Sequence, residues 1–183
     1  MMTSNSRPFV ATVLALLVGF LSGCVLTEPK EAFVPTPSEN RLIEAMVRRL
    51  DLSRQVAWVK FQNNIPVSDP KREAEVLASL VTKGNELGLA PRTVELFFTA
   101  QIRASRTIQS ELIGAWKHGA TVPAFPPWDL KRHIRPRLDA VSNDMLAALR
   151  TPPQRGFRHF AYKSLRQRGF SHAVASAAVA PLP

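Results

Sequence analysis

Residues 36–63 read TPSENRLIEAMVRRLDLSRQVAWVKFQN, and this stretch decides the fold. Thr36 and Glu39 have the spacing of a capping box, in which each side chain binds a free N–H group at a helix start, and Pro37 takes the first helical position. Apolar residues then recur every three or four positions, which is typical of a helix with one buried face. They are Leu42, Ile43, Met46, Leu50, Val56 and Val59. We therefore expect one long helix ending near Asn63.

Proline and glycine divide the rest of the chain into further helical segments. These run from Ser68-Asp69-Pro70 to Leu87-Gly88, from Ala90-Pro91 to His118-Gly119, from Asp129 to Arg150 with an interruption at Pro136, and from Gly156 to Ala180. The sequence shows neither the alternation of a strand nor an internal repeat. We expect an all-α single domain over residues 36–183, a bundle of about five to six helices in which 150–183 form a C-terminal extension.

The first 24 residues are typical of an export signal. One cation, Arg7, precedes an apolar run over residues 8–20, which is too short to span a bilayer. Leu21-Ser22-Gly23-Cys24 follows and matches the bacterial lipobox, whose cysteine is acylated. The alternative is an ordinary signal peptide that contains a cysteine.

This export signal predicts the cellular location of the protein. We expect residues 1–23 to be a signal peptide, Cys24 to be lipidated, and residues 24–35 to be a tether. The protein would then be anchored on the periplasmic side of a bacterial envelope. Val25 is not an acidic retention signal, which favours the outer membrane.

Net charge and composition limit the classes of ligand that the protein can bind. With 24 Lys plus Arg against 14 Asp plus Glu, the formal net charge is +10, which attracts nucleic acid, lipid surfaces or small polyanions. Export argues against nucleic acid. A single cysteine excludes an internal disulfide and a cysteine-rich zinc site, and the four histidines are scattered, so we expect no metal.

Two cations lie where the first helix should be apolar. Arg49 and Lys60 are 11 residues apart, close to three full turns, and share a face with Leu42 and Val56. Either side chain alone fits an apolar stem with its charge reaching water. Two on one stripe favour an anion site inside the bundle.

Two further polar sets have helical spacing. Asp69, Arg72 and Glu73 share one face of the second segment, and Ser105 shares a face with Gln109 on the third. Taken alone, the first set fits a helix cap with solvated local ion pairs, and the second fits an exposed surface.

Together these residues resemble the all-helical chorismate mutase family, in particular its exported, gamma-type subclass. The matching strings are Arg49-Leu50 with Val56 and Lys60, Ile65-Pro66-Val67-Ser68-Asp69 with Arg72-Glu73, Gln101-Ile102-Arg103-Ala104-Ser105 with Gln109, and Arg135 ahead of Leu138-Asp139 and Asn143-Asp144-Met145-Leu146. The resemblance implies the rearrangement of chorismate to prephenate in one pericyclic step. That step requires no nucleophile, metal or redox cofactor.

The resemblance also implies a role for each residue. Arg49, Arg72 and Arg135 would bind the two substrate carboxylates, which guanidinium groups suit. Lys60 would reach a carboxylate and the ether oxygen, and Gln109 would donate to that same oxygen. Glu73, with Asp69 nearby, would orient the ring hydroxyl, and Ser105 would complete a carboxylate site. The family further implies a homodimer with each active site built within one chain.

Other interpretations stay open at this point. Residues before proline avoid α geometry, so Pro136 predicts a kink or restart at Arg135, whose place Arg132 or Arg137 could take. Five cations after Arg150, with no Asp or Glu, fit either a solvated face covering the bundle or contact with anionic lipid. The alternative functions are a non-catalytic helical lipoprotein that binds a small dianion, and a structural envelope protein.

Gln109 predicts the pH dependence of the reaction. Because an amide does not titrate, the Gln109 donor that the resemblance implies would be available to the ether oxygen at any pH, whereas a glutamate at this position would have to be protonated. We expect a pH–rate profile of chorismate turnover that is flat across neutrality. A rate that rises steeply from neutral to mildly acidic pH would contradict this.

Overall fold

The computed structural model describes residues 33–183, so the predicted signal peptide, Cys24 and most of the tether lie outside the described residues. Six α-helices follow in chain order: α1 (Pro37–Gln62), α2 (Pro70–Glu86), α3 (Pro91–Lys117), α4 (Arg135–Leu149), α5 (Phe157–Gln167) and α6 (His172–Val179). A π-helical turn, Leu130–Ile134, leads into α4. The predicted all-α fold is confirmed. No helix within 33–183 has the length and apolar character needed to cross a bilayer.

Local sequence signals set the helix starts. Thr36 and Glu39 form the predicted capping box on α1, and the Asp69 carboxylate accepts from the backbone N–H of Arg72 at the start of α2. Proline occupies the start of α1, α2 and α3, where its missing N–H costs nothing. These helices therefore begin where the sequence predicted.

The core lies where α1 packs against α3 and α4. Apolar side chains from these helices are fully buried there, among them Leu50, Phe98 and Met145. α6 packs on the other side of α3. The two helices are joined by the buried Gln101 of α3, whose side-chain amide donates to the Ala178 carbonyl oxygen of α6 over 2.8 Å. The middle of α1 is thus enclosed on several sides, which fixes where its polar side chains face.

Gly84 lets α2 approach α3 closely. A Cβ atom at this position would lie 2.6 Å from Cγ2 of Val94, well inside van der Waals contact. Only a residue without a side chain allows this spacing, which lets the end of α2 pack closely against the start of α3.

Two details of the C-terminal half differ from the expectations. The segment from Gly156 to Ala180 is divided into α5 and α6 at Gly169, whose φ of 83° ends the first of them. Arg135 adopts α geometry (φ −58°, ψ −45°) although Pro136 follows it, so the expected avoidance of α geometry was wrong. The expected restart is present, since the π-helical turn ends at Ile134 and α4 begins at Arg135. The Arg135 N–H donates to the Leu130 carbonyl, and the fully buried Ile134 holds the turn against Val56 and Val59. Tertiary packing here outweighs the local preference.

Most cations of the C-terminal segment contact the protein itself. Arg158 donates through Nε to the Leu182 carbonyl over 2.6 Å, and Arg166 donates to the Phe170 carbonyl over 2.6 Å. Arg168 pairs with Glu44 of α1. These contacts favour the interpretation that the segment covers the bundle.

Glu39 ties the start of α1 to the loop before α5. Its carboxylate accepts from the backbone N–H of Thr36 (2.7 Å), the backbone N–H of Gln154 (2.7 Å) and the Gln154 side-chain amide (2.9 Å). Burial alone would raise the pKa of Glu39, but these hydrogen bonds outweigh it and lower the pKa below its ordinary value of 4.5. A lowered folded-state pKa means that the contact stabilises the fold above the unfolded-state pKa and is lost as pH falls through the folded-state pKa.

Glu39→Ala is therefore expected to lower the free energy of unfolding at neutral pH by about 2 kcal/mol, because three donors lose a buried acceptor. Urea unfolding measures the change, with Glu86→Ala at the exposed end of α2 as the control. The difference between Glu39→Ala and the wild type should shrink as pH falls below 4.5. Equal stability of the two proteins at neutral pH would contradict this assignment.

Candidate functional site

A cavity of about 260 Å³ opens between α1, α2, α3 and the start of α4. All eight residues predicted for substrate binding line it: Arg49, Lys60, Asp69, Arg72, Glu73, Ser105, Gln109 and Arg135. They come from four helices and are far apart in sequence. The structure therefore brings the predicted set together.

Arg49 is a buried cation that forms no salt bridge with a carboxylate of residues 33–183. Its side chain is 5% exposed, and its Nε has no hydrogen-bond partner in the described part of the chain. Burial lowers its pKa to about 10, against a smaller opposing effect of the Asp139 charge. The guanidinium is therefore charged at neutral pH and faces the cavity instead of reaching water along an apolar stem. A charge in this position is costly unless an anion joins it.

Lys60 reaches the same cavity from a position about three turns after Arg49 on α1. Its Nζ donates to the Val67 carbonyl oxygen over 2.6 Å, which leaves two of its three N–H donors for other acceptors. Burial is the main cause that lowers the pKa of Lys60; Asp69 and Glu73 raise it, and Arg106 and Arg135 lower it. The ammonium group is thus anchored by the loop between α1 and α2.

The polar start of α2 has both a structural role and a place in the cavity. Asp69 caps the helix, and Arg72 pairs with Glu75 over 3.3 Å, as local helix chemistry predicts. Yet Asp69, Arg72 and Glu73 all line the cavity, where Glu73 lies 3.5 Å from Arg106 of α3. The cap and the cavity wall are therefore made by the same turn.

Ser105 and Gln109 are buried on α3, so the exposed-surface interpretation was wrong for both. Gln109 is 6% exposed, and its Oε1 has no hydrogen-bond partner among the described residues. Packing of α3 against α1 turns this face inward. Gln109 thus places an incompletely bonded amide at the cavity wall.

Arg135 lines the cavity, and the two suggested substitutes do not. Arg137 instead lies with its guanidinium carbon 5.4 Å from the centre of the Trp128 ring. Arg132 is exposed, and its backbone N–H donates to Asp129. The π-helical turn and α4 together therefore aim Arg135, of the three arginines, at the cavity.

Four polar residues of the cavity were not predicted from the sequence: Ser53, Arg106, Asp139 and Ser142. The helical period placed Ser53 one turn after Arg49, which was a usable signal. Nothing in the sequence indicates that Arg106 meets Glu73 on another helix, or that Asp139 acts on Arg49. With these residues the cavity has five cationic and three acidic side chains, a net charge of +2 that suits a dianion.

Comparison with known proteins gives consistent matches. The family model for chorismate mutase type II matches residues 39–110. A secreted chorismate mutase of Mycobacterium tuberculosis is 29% identical over 152 residues, covering 81% of this chain and 74% of the relative. The crystal structure of a chorismate mutase from Burkholderia phymatum is similar with a TM-score of 0.70 and 26% identity, covering 80% of this chain and 98% of that one. One from Burkholderia thailandensis has a TM-score of 0.69 and 28% identity, over 79% and 98%.

The cost of the buried charge predicts a stability effect. Replacing Arg49 by the similarly long, uncharged Met should raise the free energy of unfolding by about 1–3 kcal/mol, because a desolvated cation that forms no salt bridge within residues 33–183 is removed. Arg48→Met is the control, since Arg48 precedes Arg49 on α1 but forms an exposed ion pair with Asp144 of α4. Urea unfolding of both variants measures the difference, and a destabilised Arg49→Met protein would contradict it.

Proposed function

We infer that this chain, a member of the chorismate mutase type II family, converts chorismate to prephenate in the cavity between α1, α2, α3 and α4. The observation that carries the assignment to this cavity is Arg49, a buried guanidinium whose Nε has no hydrogen-bond partner among residues 33–183, in a pocket with a net charge of +2. Chorismate is a dianion with two carboxylates. Its binding offsets the desolvation of the buried charge.

The arginines act as carboxylate clamps in this proposal. Arg49 from α1, Arg72 from α2 and Arg135 from α4 approach the cavity from three sides. Each guanidinium presents paired N–H donors that match a carboxylate. Held at both carboxylates, the substrate is confined to the compact conformer that reacts, which lowers the entropic part of the barrier.

Lys60 and Gln109 stabilise the transition state. As the ether C–O bond breaks and the new C–C bond forms, negative charge grows on the ether oxygen. Lys60 has free N–H donors, and the amide of Gln109 supplies another from the facing helix. Donors already in place in a partly desolvated cavity need no reorganisation during the reaction.

The remaining polar residues orient the substrate. Glu73, with Asp69 nearby, accepts from the ring hydroxyl, and Ser105 donates to a carboxylate. These roles are supported by the position of the three residues on the cavity wall and by the hydroxyl and carboxylate groups of chorismate. No step of this mechanism needs a metal or cofactor.

Export, anchoring and assembly complete the proposal. Residues 1–23 direct export and Cys24 carries the lipid anchor, on the periplasmic side of the envelope. The lipobox supports the anchor, and relatives named secreted chorismate mutases support export. We expect a homodimer with complete active sites in each chain.

Lys60→Ala tests the proposed chemistry. Loss of a donor at the developing charge should lower kcat by about 10²-fold or more. The assay follows the loss of chorismate absorbance, and acid treatment of the product should yield phenylpyruvate. Lys83→Ala on α2, outside the cavity, is the matched control.

The same assay tests the main alternative. A folded wild-type protein that does not turn over chorismate, yet binds it in a titration, would favour the non-catalytic lipoprotein. Turnover that Lys60→Ala leaves unchanged would contradict the role of Lys60.

A further inference from the structure

Ser53 is a buried hydroxyl on the cavity wall, one turn after Arg49 on α1. Its side chain is 1% exposed, and its Oγ lies 2.9 Å from Oγ of Ser105 on α3 and 3.1 Å from the carbonyl oxygen of Arg49. A serine hydroxyl has one proton, so Ser53 donates to only one of these two acceptors at a time.

The pair therefore has two arrangements of its protons. In one, Ser53 donates to the Arg49 carbonyl and Ser105 donates to Ser53, so that the Ser105 proton stays between the helices. In the other, Ser53 donates to Ser105, and the proton of Ser105 is free for an acceptor in the cavity. An anionic oxygen beside Ser105 favours the second arrangement, because it accepts that proton.

We propose that Ser53 is a positioning residue for substrate binding, which holds the Ser105 hydroxyl so that it donates to a carboxylate of the bound substrate. This rests on the proposed function, and it assigns a further residue to it. Donation from Ser53 polarises the Ser105 hydroxyl and strengthens its bond to the substrate.

The other helical hydroxyls show what Ser53 prevents. Thr82, Thr107 and Ser142 each donate to the carbonyl four residues earlier on their own helix. Without Ser53, the hydroxyl of Ser105 is free to turn to the carbonyl of Gln101 in the same way, away from the cavity. Ser105 shares its hydroxyl with Ser53 across two helices instead.

Steady-state kinetics on purified full-length protein test this. Ser53→Ala should raise the KM for chorismate about threefold to tenfold, the worth of one neutral hydrogen bond. Because the chemical step does not involve Ser53, kcat should stay within about twofold. Ser53→Cys, similar in shape with a weakly bonding sulfur, should show the same KM shift. Thr107→Ala is the control, since it removes a hydroxyl from α3 outside the cavity.

A double-mutant cycle separates positioning from a merely structural role. If Ser53 acts through Ser105, Ser53→Ala should change KM no further in a Ser105→Ala background. An unchanged KM in the wild-type background, an equal rise in both backgrounds, or a loss confined to kcat would overturn the proposal. Absence of turnover in the wild-type protein would instead contradict the proposed function.

Discussion

The cavity is shaped by one constraint, a positive charge that the bundle holds away from water. Arg49 lies on the face of α1 that also supplies Leu42, Met46 and Leu50 to the core, so the same packing that stabilises the helix removes the guanidinium from water. Desolvation of a cation costs far more than one apolar contact returns. The surrounding helices leave a cavity beside this cation, and the proposed binding of an anion there would balance its charge. Binding strength and fold stability are opposed at this position.

Helix boundaries were predictable because their signals are local. The capping box at Thr36 and the Asp69 cap act within one turn, and the sequence shows them directly. The geometry of Arg135 was not predictable in this way, because burial of Ile134 overrides the preference set by Pro136. The division at Gly169 is a local signal that the sequence analysis did not use.

In the candidate site, too, some residues could be predicted from local sequence and others depend on how the helices pack. Residues on the inward faces of α1 and α3 follow from helical period and from the family pattern. Ser53, Arg106 and Asp139 acquire their surroundings only when separate helices meet, and each pattern taken alone also fits an ordinary polar helix face. Asp69 is an example, because it caps α2 and also lines the cavity. A residue whose position is explained by local helix structure can therefore have a second role.

The two ends of α1 make different contacts. Glu39 fastens one end to the loop before α5, whereas Lys60 reaches the cavity from the other, and 21 residues of helix place them about 30 Å apart. Phe33, the first described residue, packs against Phe160 of α5 with ring centres 5.2 Å apart, so it lies near the Glu39 end of α1. If Cys24 carries the proposed lipid anchor, its pull reaches the bundle through Phe33, at the end of α1 that lies away from the cavity.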